Sequence, residues 1–420
     1  MHIINAQFET TSPMFIAGYT LDDAKERAQQ PLSIRPTAIK GALRFWWRAL
    51  TYPAIRAQAA TAETALKQLH QQEMALFGAA ASEQNKSGQS LVLLRVKYNV
   101  DDSSTVQANN DKTTGEKIGN GTGCQYLLGM GLFNFKTGLS RAYIKSGSAF
   151  SLQLAVKPSA SGEQIAQLKQ ALLAFGLLGS LGSRARKGFG SVQLLSWDEL
   201  GENLNVPATK EEYVNAVATL FAFGATSAEL PPFTAFSAHA MSDLSCSDKT
   251  PVETINQLGT KQQLYRGYGQ NSTGEHLVAG HKALQIFSDD HDDIFNYLNN
   301  SGPLVQPKRL VFGLPHNVRF SNGKGSLPME IDQRNQTRRA SPLFIHIHKL
   351  DGYFFGVQSL LAAEFFPRGA QVKYNLKSKP ASAVDWSVIT NYLTLDEYRG
   401  PNHHCKGFNQ RQAIFKGSQR

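Results

Sequence analysis

Short runs with strand character recur four times in the first 200 residues. Ile4, Ala6 and Phe8 alternate with polar neighbours and predict a first strand. Val92, Leu94, Val96 and Tyr98 predict a second, and Phe150, Leu152, Leu154 and Val156 a third. Phe189, Ser191–Leu195 and Trp197 predict a fourth. Two stretches have helical period instead. Ile39, Leu43, Trp46 and Leu50 fall at i, i+4, i+7 and i+11, and Pro36 suits a first turn, so a helix is predicted over 36–58. Ile165, Leu168, Leu172 and Phe175 predict another over 161–178. The order β-α-β-β-α-β is the ferredoxin-like arrangement. Residues 99–148 are polar and glycine-rich. They are too long for a compact loop and read as a functional or mobile insertion.

Residues 201–232 read as a helical connector, with a helix over 211–223 and Pro231-Pro232 at its end. Beyond it the pattern predicts a strand at 233–240, a helix at 252–265 and a short strand at 310–314. Strands at 343–350 and 353–360 are joined by Asp351-Gly352, a turn pair that accepts positive φ at both positions. A helix near 384–393 follows, and the tail 399–420 is merely basic. The second half is thus a looser version of the first. The expected fold is α+β, two tandem ferredoxin-like (RRM-like) domains over 1–200 and 233–420.

Composition sharpens the picture. The 420 residues carry a net charge of +10 although only 18% are charged. That is the electrostatic footprint of a nucleic-acid binder. Phe (24) and Tyr (13) supply stacking groups. No apolar run approaches the roughly 18 residues of a membrane span. No basic-then-apolar leader opens the chain. The 3 cysteines, Cys124, Cys246 and Cys405, are far apart, which suits reduced thiols in a cytoplasmic protein.

Two motifs carry candidate chemistry. Lys40, Arg44 and Arg48 form a stripe at i, i+4, i+8 of the first helix, with no acidic residue nearby in sequence. Like charges at this spacing repel, so the stripe is expected to face an anion, with Trp47 beside it as a flat surface for a base. A solvated helix face is the plainer reading. The second motif, Gly176–Gly190, places Gly182, Ser183, Arg184, Arg186, Lys187 and Gly188 between a helix and a strand. Glycines let backbone N–H groups approach a phosphate. The Lys-Ser/Thr ending and strand-to-helix order of a P-loop are missing, so a phosphate-backbone clamp is expected rather than a nucleotide site. An ordinary basic turn is the alternative.

Catalytic and metal candidates are weaker. His346 and His348 share a strand face, but their apolar neighbours favour a buried structural strand. His403-His404-Cys405 has ligand types without a second cluster at ligand spacing. Asp289–Asp293 around His291 reads as a solvated helix start, and His2 stands alone. No catalytic residue, metal or cofactor is assigned.

Together the two motifs resemble the RAMP superfamily of CRISPR proteins. Gly179–Gly190 resembles its glycine-rich loop. The segments Pro36–Leu50, Leu310–Pro315 and Arg339–Lys349 resemble the family of first RAMP subunits of Cmr (type III-B) RNA-guided effector complexes. The insertion at 99–148 has no counterpart, and the second half lacks a matching glycine loop. The resemblance implies tandem ferredoxin-like folds and a non-catalytic subunit that contacts guide RNA toward its 3′ side, target RNA and other Cmr subunits. A metal-independent endoribonuclease that processes CRISPR precursor RNA is the alternative.

Overall fold

Strand β1 (His2–Thr10) is the middle of the first sheet in the computed structural model. The structure describes residues 1–16, 32–79, 88–98, 104–113, 115–225, 228–268, 277–278, 281–320, 325–333, 337–395 and 411–417. After β1 come α1 (Pro36–Gln58), α2 (Ala62–Phe77), β2 (Val92–Tyr98), α3 (Thr122–Leu128), β3 (Ala149–Val156), α4 (Gly162–Leu178), β4 (Val192–Glu199) and β5 (Glu202–Leu204). The sheet is antiparallel in the order β2-β3-β1-β4-β5. Register pairs Ile4 with Leu154 and Phe8 with Phe150, so the alternating apolar residues share one face. Phe175 of α4 closes on Phe8 with ring centroids 5.4 Å apart.

Helix α2 does not stand out in the apolar pattern. Thr61 caps it by accepting from the Thr64 N–H. The insertion is folded where it is described. The buried carboxylate of Asp111 accepts from Ile118 N–H, Gly119 N–H and the Tyr143 hydroxyl. Ile118, Leu128 and Tyr143 pack with Phe15 and Phe189 in a core that also takes Ile255, Leu258, Ile345 and Ile347 from the second half.

Helix α5 (Lys210–Gly224) starts with a reciprocal Thr209–Glu212 cap. Then follow β6 (Met241–Asp248), α6 (Pro251–Arg266), α7 (Ser288–Leu298), β7 (His316–Arg319), β8 (Ser326–Asp332), β9 (Leu343–Leu350), β10 (Tyr353–Leu360), β11 (Gln371–Tyr374), β12 (Lys377–Pro380), α8 (Ser387–Leu393) and β13 (Gln412–Lys416). One antiparallel sheet runs β9-β10-β6-β13 and another β7-β8-β11-β12. The turn between β9 and β10 has φ of 51° at Asp351 and 76° at Gly352, as expected.

Three expectations for this half are corrected. Residues 233–240 are irregular, and the strand begins at Met241. Its sequence, MSDLSCSD, hides it: buried polar groups pair across the sheet, Ser242 with Ser359 at 2.9 Å and Ser245 with Gln358 at 3.0 Å. Residues 308–312 form a 3-10 turn after Pro307, with Leu310, Val311 and Phe312 all buried. Three consecutive buried side chains suit a turn of helix better than a strand with one open face. The basic tail supplies β13, and Arg411 pairs with the buried Asp243 at 3.3 Å.

The two halves are joined at the outer edge of β9. An edge strand leaves backbone groups open. Here Gly188 N–H donates to Ile345 O at 3.1 Å. The Thr11 hydroxyl donates to Ile347 O, and Ser191 Oγ accepts from Ile347 N–H. Gln193 takes both groups of Lys349, accepting from its N–H at 2.9 Å and donating to its carbonyl at 3.0 Å. Farther out, α3 crosses α6 at near backbone contact, and Asn256 Oδ1 accepts from Gly123 N–H at 2.9 Å. Among the described residues no helix is long and apolar enough to cross a membrane.

The crossing gives a test. A Cβ at Gly259 would lie 2.1 Å from Gly123 O, whereas Gly41 of α1 has nothing within 4 Å. Gly259→Val should lower the melting temperature, with a cost of about 1–3 kcal/mol or more. Gly41→Ala should raise it slightly, by about 0.4–1 kcal/mol. Equal melting temperatures for the two variants would contradict the contact.

Candidate nucleic-acid interface

Helix α1 buries its apolar stripe as expected: Ile39 and Leu43 are fully buried, and Trp46 and Leu50 nearly so. Trp47 does not flank the stripe as a free surface. It is 1% exposed, donates Nε1–H to Gln167 Oε1 of α4 at 3.1 Å, and meets the Phe77 ring at 6.0 Å. The helix is enclosed by α4 on one side and α2 on another, so its buried arc is wider than one stripe. Trp47 is therefore a core residue here, and no base can reach its face.

The basic stripe also has a partner that lies far along the chain. Glu73 of α2, 4% exposed, sits between Arg44 (Nε–Oε1 2.6 Å) and Arg48 (Nη1–Oε1 3.1 Å). One carboxylate thus serves two guanidiniums, and the stripe keeps an excess of positive charge. Partial burial, with Arg44 beside it, lowers the affinity of the Lys40 amine for its proton.

The glycine loop does something other than the expected backbone clamp. Gly182, Gly188 and Gly190 have φ of 84°, 86° and 67°. A Cβ on Gly182 would lie 2.5 Å from Phe15 O, and one on Gly190 2.0 Å from Leu181 O. The N–H groups of Ser183 and Gly190 donate to Phe15 O and Pro13 O, and that of Gly188 reaches β9. These donors are spent on the protein's own junction, so the glycines serve close packing rather than phosphate contact through those N–H groups.

The loop's cations point away from this packing. Arg186 donates Nη1–H to Ser341 O at 2.7 Å and lies over the Phe344 ring at 4.4 Å and Phe45 at 5.6 Å. Burial and the charge of Arg339 push its pKa down to about 10. Arg184, at φ 63°, is exposed, and partial burial beside Arg338 also lowers its proton affinity. Lys187 is largely buried, and its amine is pushed down to about 7 by burial, then by Arg266, Arg184 and Arg186. Among the described residues no carboxylate forms an ion pair with Arg184, Arg186, Lys187 or Arg338.

A cleft of about 440 Å³ gathers these motifs. Phe45 and Arg48 of α1, Glu73 of α2, Arg186 of the loop, Thr234 and Arg339 line it. Arg48 on one wall thus meets Arg186 and Arg339 on the other, and Arg44 is held beside Arg48 by their shared Glu73. Sequence reasoning missed Glu73, which only the fold brings near, and Arg338-Arg339, whose dibasic pair was the available signal. Unpaired guanidiniums with aromatic faces beside them suit a chain of phosphates.

The remaining candidates have structural partners. His346 Nδ1 donates to Gly179 O at 3.1 Å, its Nε2 meets His348 Nδ1 at 3.2 Å, and His348 stacks on Tyr213 at 3.9 Å. Burial holds His346 down to about 3 and His348 well below its usual value, so both are neutral. They belong to a buried strand, as expected. His2 pairs with Glu199 at 2.6 Å. Asp290 is not solvated as expected: it is 4% exposed and pairs with Arg309 at 3.1 Å. His403, His404 and Cys405 lie outside the described residues.

Residues 7–193 match the family model described as the RAMP superfamily. Across 100% of both chains the fold resembles a crystal structure of Cmr1 from Pyrococcus furiosus in its apo form, with a TM-score of 0.55 and 18% identity. A chain in a cryo-EM structure of type III-B Cmr-beta bound to cognate target RNA covers 93% of this chain and 98% of its own length, with a TM-score of 0.50 and 13% identity. No curated protein sequence matches.

Two outcomes test this geometry. Trp46→Ala and Trp47→Ala should destabilise alike, by about 3–5 kcal/mol each. A much smaller loss for Trp47→Ala would place that ring at the surface. Lys187 is lowered from 10.5 in the folded chain, so the unfolded chain holds the extra proton above pH about 7. Folding then gains stability as pH rises from about 7 toward 10.5. Unfolding of wild type and Lys187→Gln across this range should show a steeper rise in wild type; parallel curves would refute the lowered amine.

Proposed function

From a RAMP superfamily match over residues 7–193 and a fold shared with Cmr1 along the whole chain, we propose that this protein is an RNA-binding subunit of a type III-B CRISPR effector complex. Its partners are guide RNA, contacted toward the 3′ side, target RNA and other Cmr subunits. The observation that carries the RNA-binding part is the set of cations on the glycine loop and at 338–339 that lack ion-pair partners among the described residues, Arg186 and Arg339 of them lining the cleft. Arg184 and Arg338, and Arg186 and Arg339, stand as like-charged neighbours in this set. Such repulsion is relieved when a polyanion lies across the face. The shared strand order of the sheets around β1 and β6 supports reading the chain as two ferredoxin-like units in tandem.

The role is binding rather than cutting. His346 and His348 are neutral and tied into the strand junction, which supports that reading. Sequence selection then rests with guide–target pairing, and this chain grips backbone and shape.

Replacing Arg184 and Arg338 together by Ala should leave the fold intact, because both are exposed. Binding of single-stranded RNA should weaken, and its salt slope should flatten by about 1.4 if two phosphate contacts are lost. Glu73→Gln should act the other way, tightening binding by exposing Arg44 and Arg48. Fluorescence anisotropy across a salt series reads both. An unchanged slope in the double variant would sink the interface. Defined cleavage products from labelled repeat RNA, with or without chelator, would replace the binding role by the endoribonuclease one.

A further inference from the structure

Behind the glycine loop, away from the cleft, lies a second group of polar side chains. Gln262 and Arg266 stand one turn apart on α6. Arg309 comes from the 3-10 turn, His316 opens β7, and Lys187 reaches in from the loop. Direct contacts hold the group together. Lys187 Nζ lies 3.5 Å from Gln262 Oε1, and Arg309 Nη1 donates to Arg266 O at 3.1 Å. Phe312 lies under the Arg266 guanidinium at 4.7 Å.

Several of these groups are buried with nothing to bond. Gln262 is 1% exposed and Arg309 is 6% exposed. Gln262 Nε2, Arg266 Nε, Arg309 Nη2 and His316 Nε2 have no hydrogen-bond partner among the described residues. Buried donors are normally satisfied, so an unpaired set at one place calls for an acceptor. Charge points the same way. Of the cations Lys187, Arg266 and Arg309, Arg309 pairs with a carboxylate, Asp290, which already accepts from Lys308 N–H, Arg309 N–H and Arg309 Nε. Tyr126 of α3 lies within electrostatic reach of Arg309, and Arg184 and Arg186 add positive charge from the loop side. Burial, then Arg266 and Arg309, holds the His316 imidazole down to about 3.

We propose that Lys187, Gln262, Arg266, Arg309 and His316 form a buried binding site for a single phosphate group. A tetrahedral oxyanion accepts hydrogen bonds from several directions at once and matches the excess charge. Consecutive residues of one turn, Arg186 and Lys187, serve the cleft and this pocket respectively. A strand of RNA laid over the turn therefore offers phosphate to both. The source of the phosphate rests on the RNA-binding reading; the pocket itself does not. Anion binding returns a full proton to Lys187.

Calorimetry with the full chain tests the site, using sulfate as a probe whose charge is fixed near neutral pH. Wild type should bind one sulfate, and Lys187→Gln and Arg266→Gln should each weaken it by about tenfold or more. Lys187→Gln should melt no lower than wild type, because it removes a crowded charge. Affinity should fall as pH rises from about 7 to about 9 in wild type and stay flat in Lys187→Gln. Two RNAs, alike except for a 3′-hydroxyl or a 3′-phosphate, identify the source. Tighter binding of the phosphorylated end, lost in Lys187→Gln, assigns a terminal phosphate; equal binding, equally weakened, assigns an internal one. Absence of saturable sulfate binding to folded wild type, or wild-type affinity in both variants, would overturn the site. Sulfate binding that the variants lose, in a chain that does not bind RNA, would keep the site and discard the RNA reading.

Discussion

The open edge of β9 is the constraint around which the molecule is arranged. Its outward N–H and C=O groups must be satisfied, and no strand among the described residues lies beside it. Thr11, Gly188, Ser191 and Gln193 supply the partners instead. Holding them there requires the glycine loop to turn tightly against Pro13–Phe15 and to end on β9. That requirement explains positive φ at Gly182, Gly188 and Gly190 better than a waiting phosphate does. It also delivers Arg186 to Phe344 and Lys187 to Gln262, so the placement of the cations follows from closing the edge.

Local period made the first sheet legible. Strands β1 to β3 and helices α1 and α4 have one clean face each, and hydrophobic burial sorts such patterns without help from distant residues. Strand β6 was illegible for the opposite reason. Its Ser and Asp side chains are buried through partners more than one hundred residues away, such as Gln358 and Arg411. Polar residues that find each other in three dimensions leave no apolar trace. Strand β13 hid likewise within a stretch that reads as a charged tail.

The site was half legible. Arg48 and Arg186 do line one cleft, and the glycine-rich spacing marked the loop that closes on β9. Trp47 was misplaced because a helix enclosed on several sides buries a broader arc than a periodicity argument allows. Glu73 and Gln262 were invisible because each acts through a partner that only the fold supplies. Sequence spacing identifies which face a side chain occupies; it does not tell what stands opposite.

Asp243 sets an order on how the second sheet can be completed. The carboxylate is fully buried on β6, with Lys261 in electrostatic reach but its bidentate partner, Arg411, 168 positions later. On a ribosome β6 emerges long before that arginine. Sequestering the carboxylate early would strip its water without replacing the hydrogen bonds. The nascent second half therefore stays unfinished until β13 is made, while the strands and helices around β1 can close more than two hundred residues sooner. Vectorial synthesis gives the first sheet time to stand ready, and the second then assembles against a finished surface.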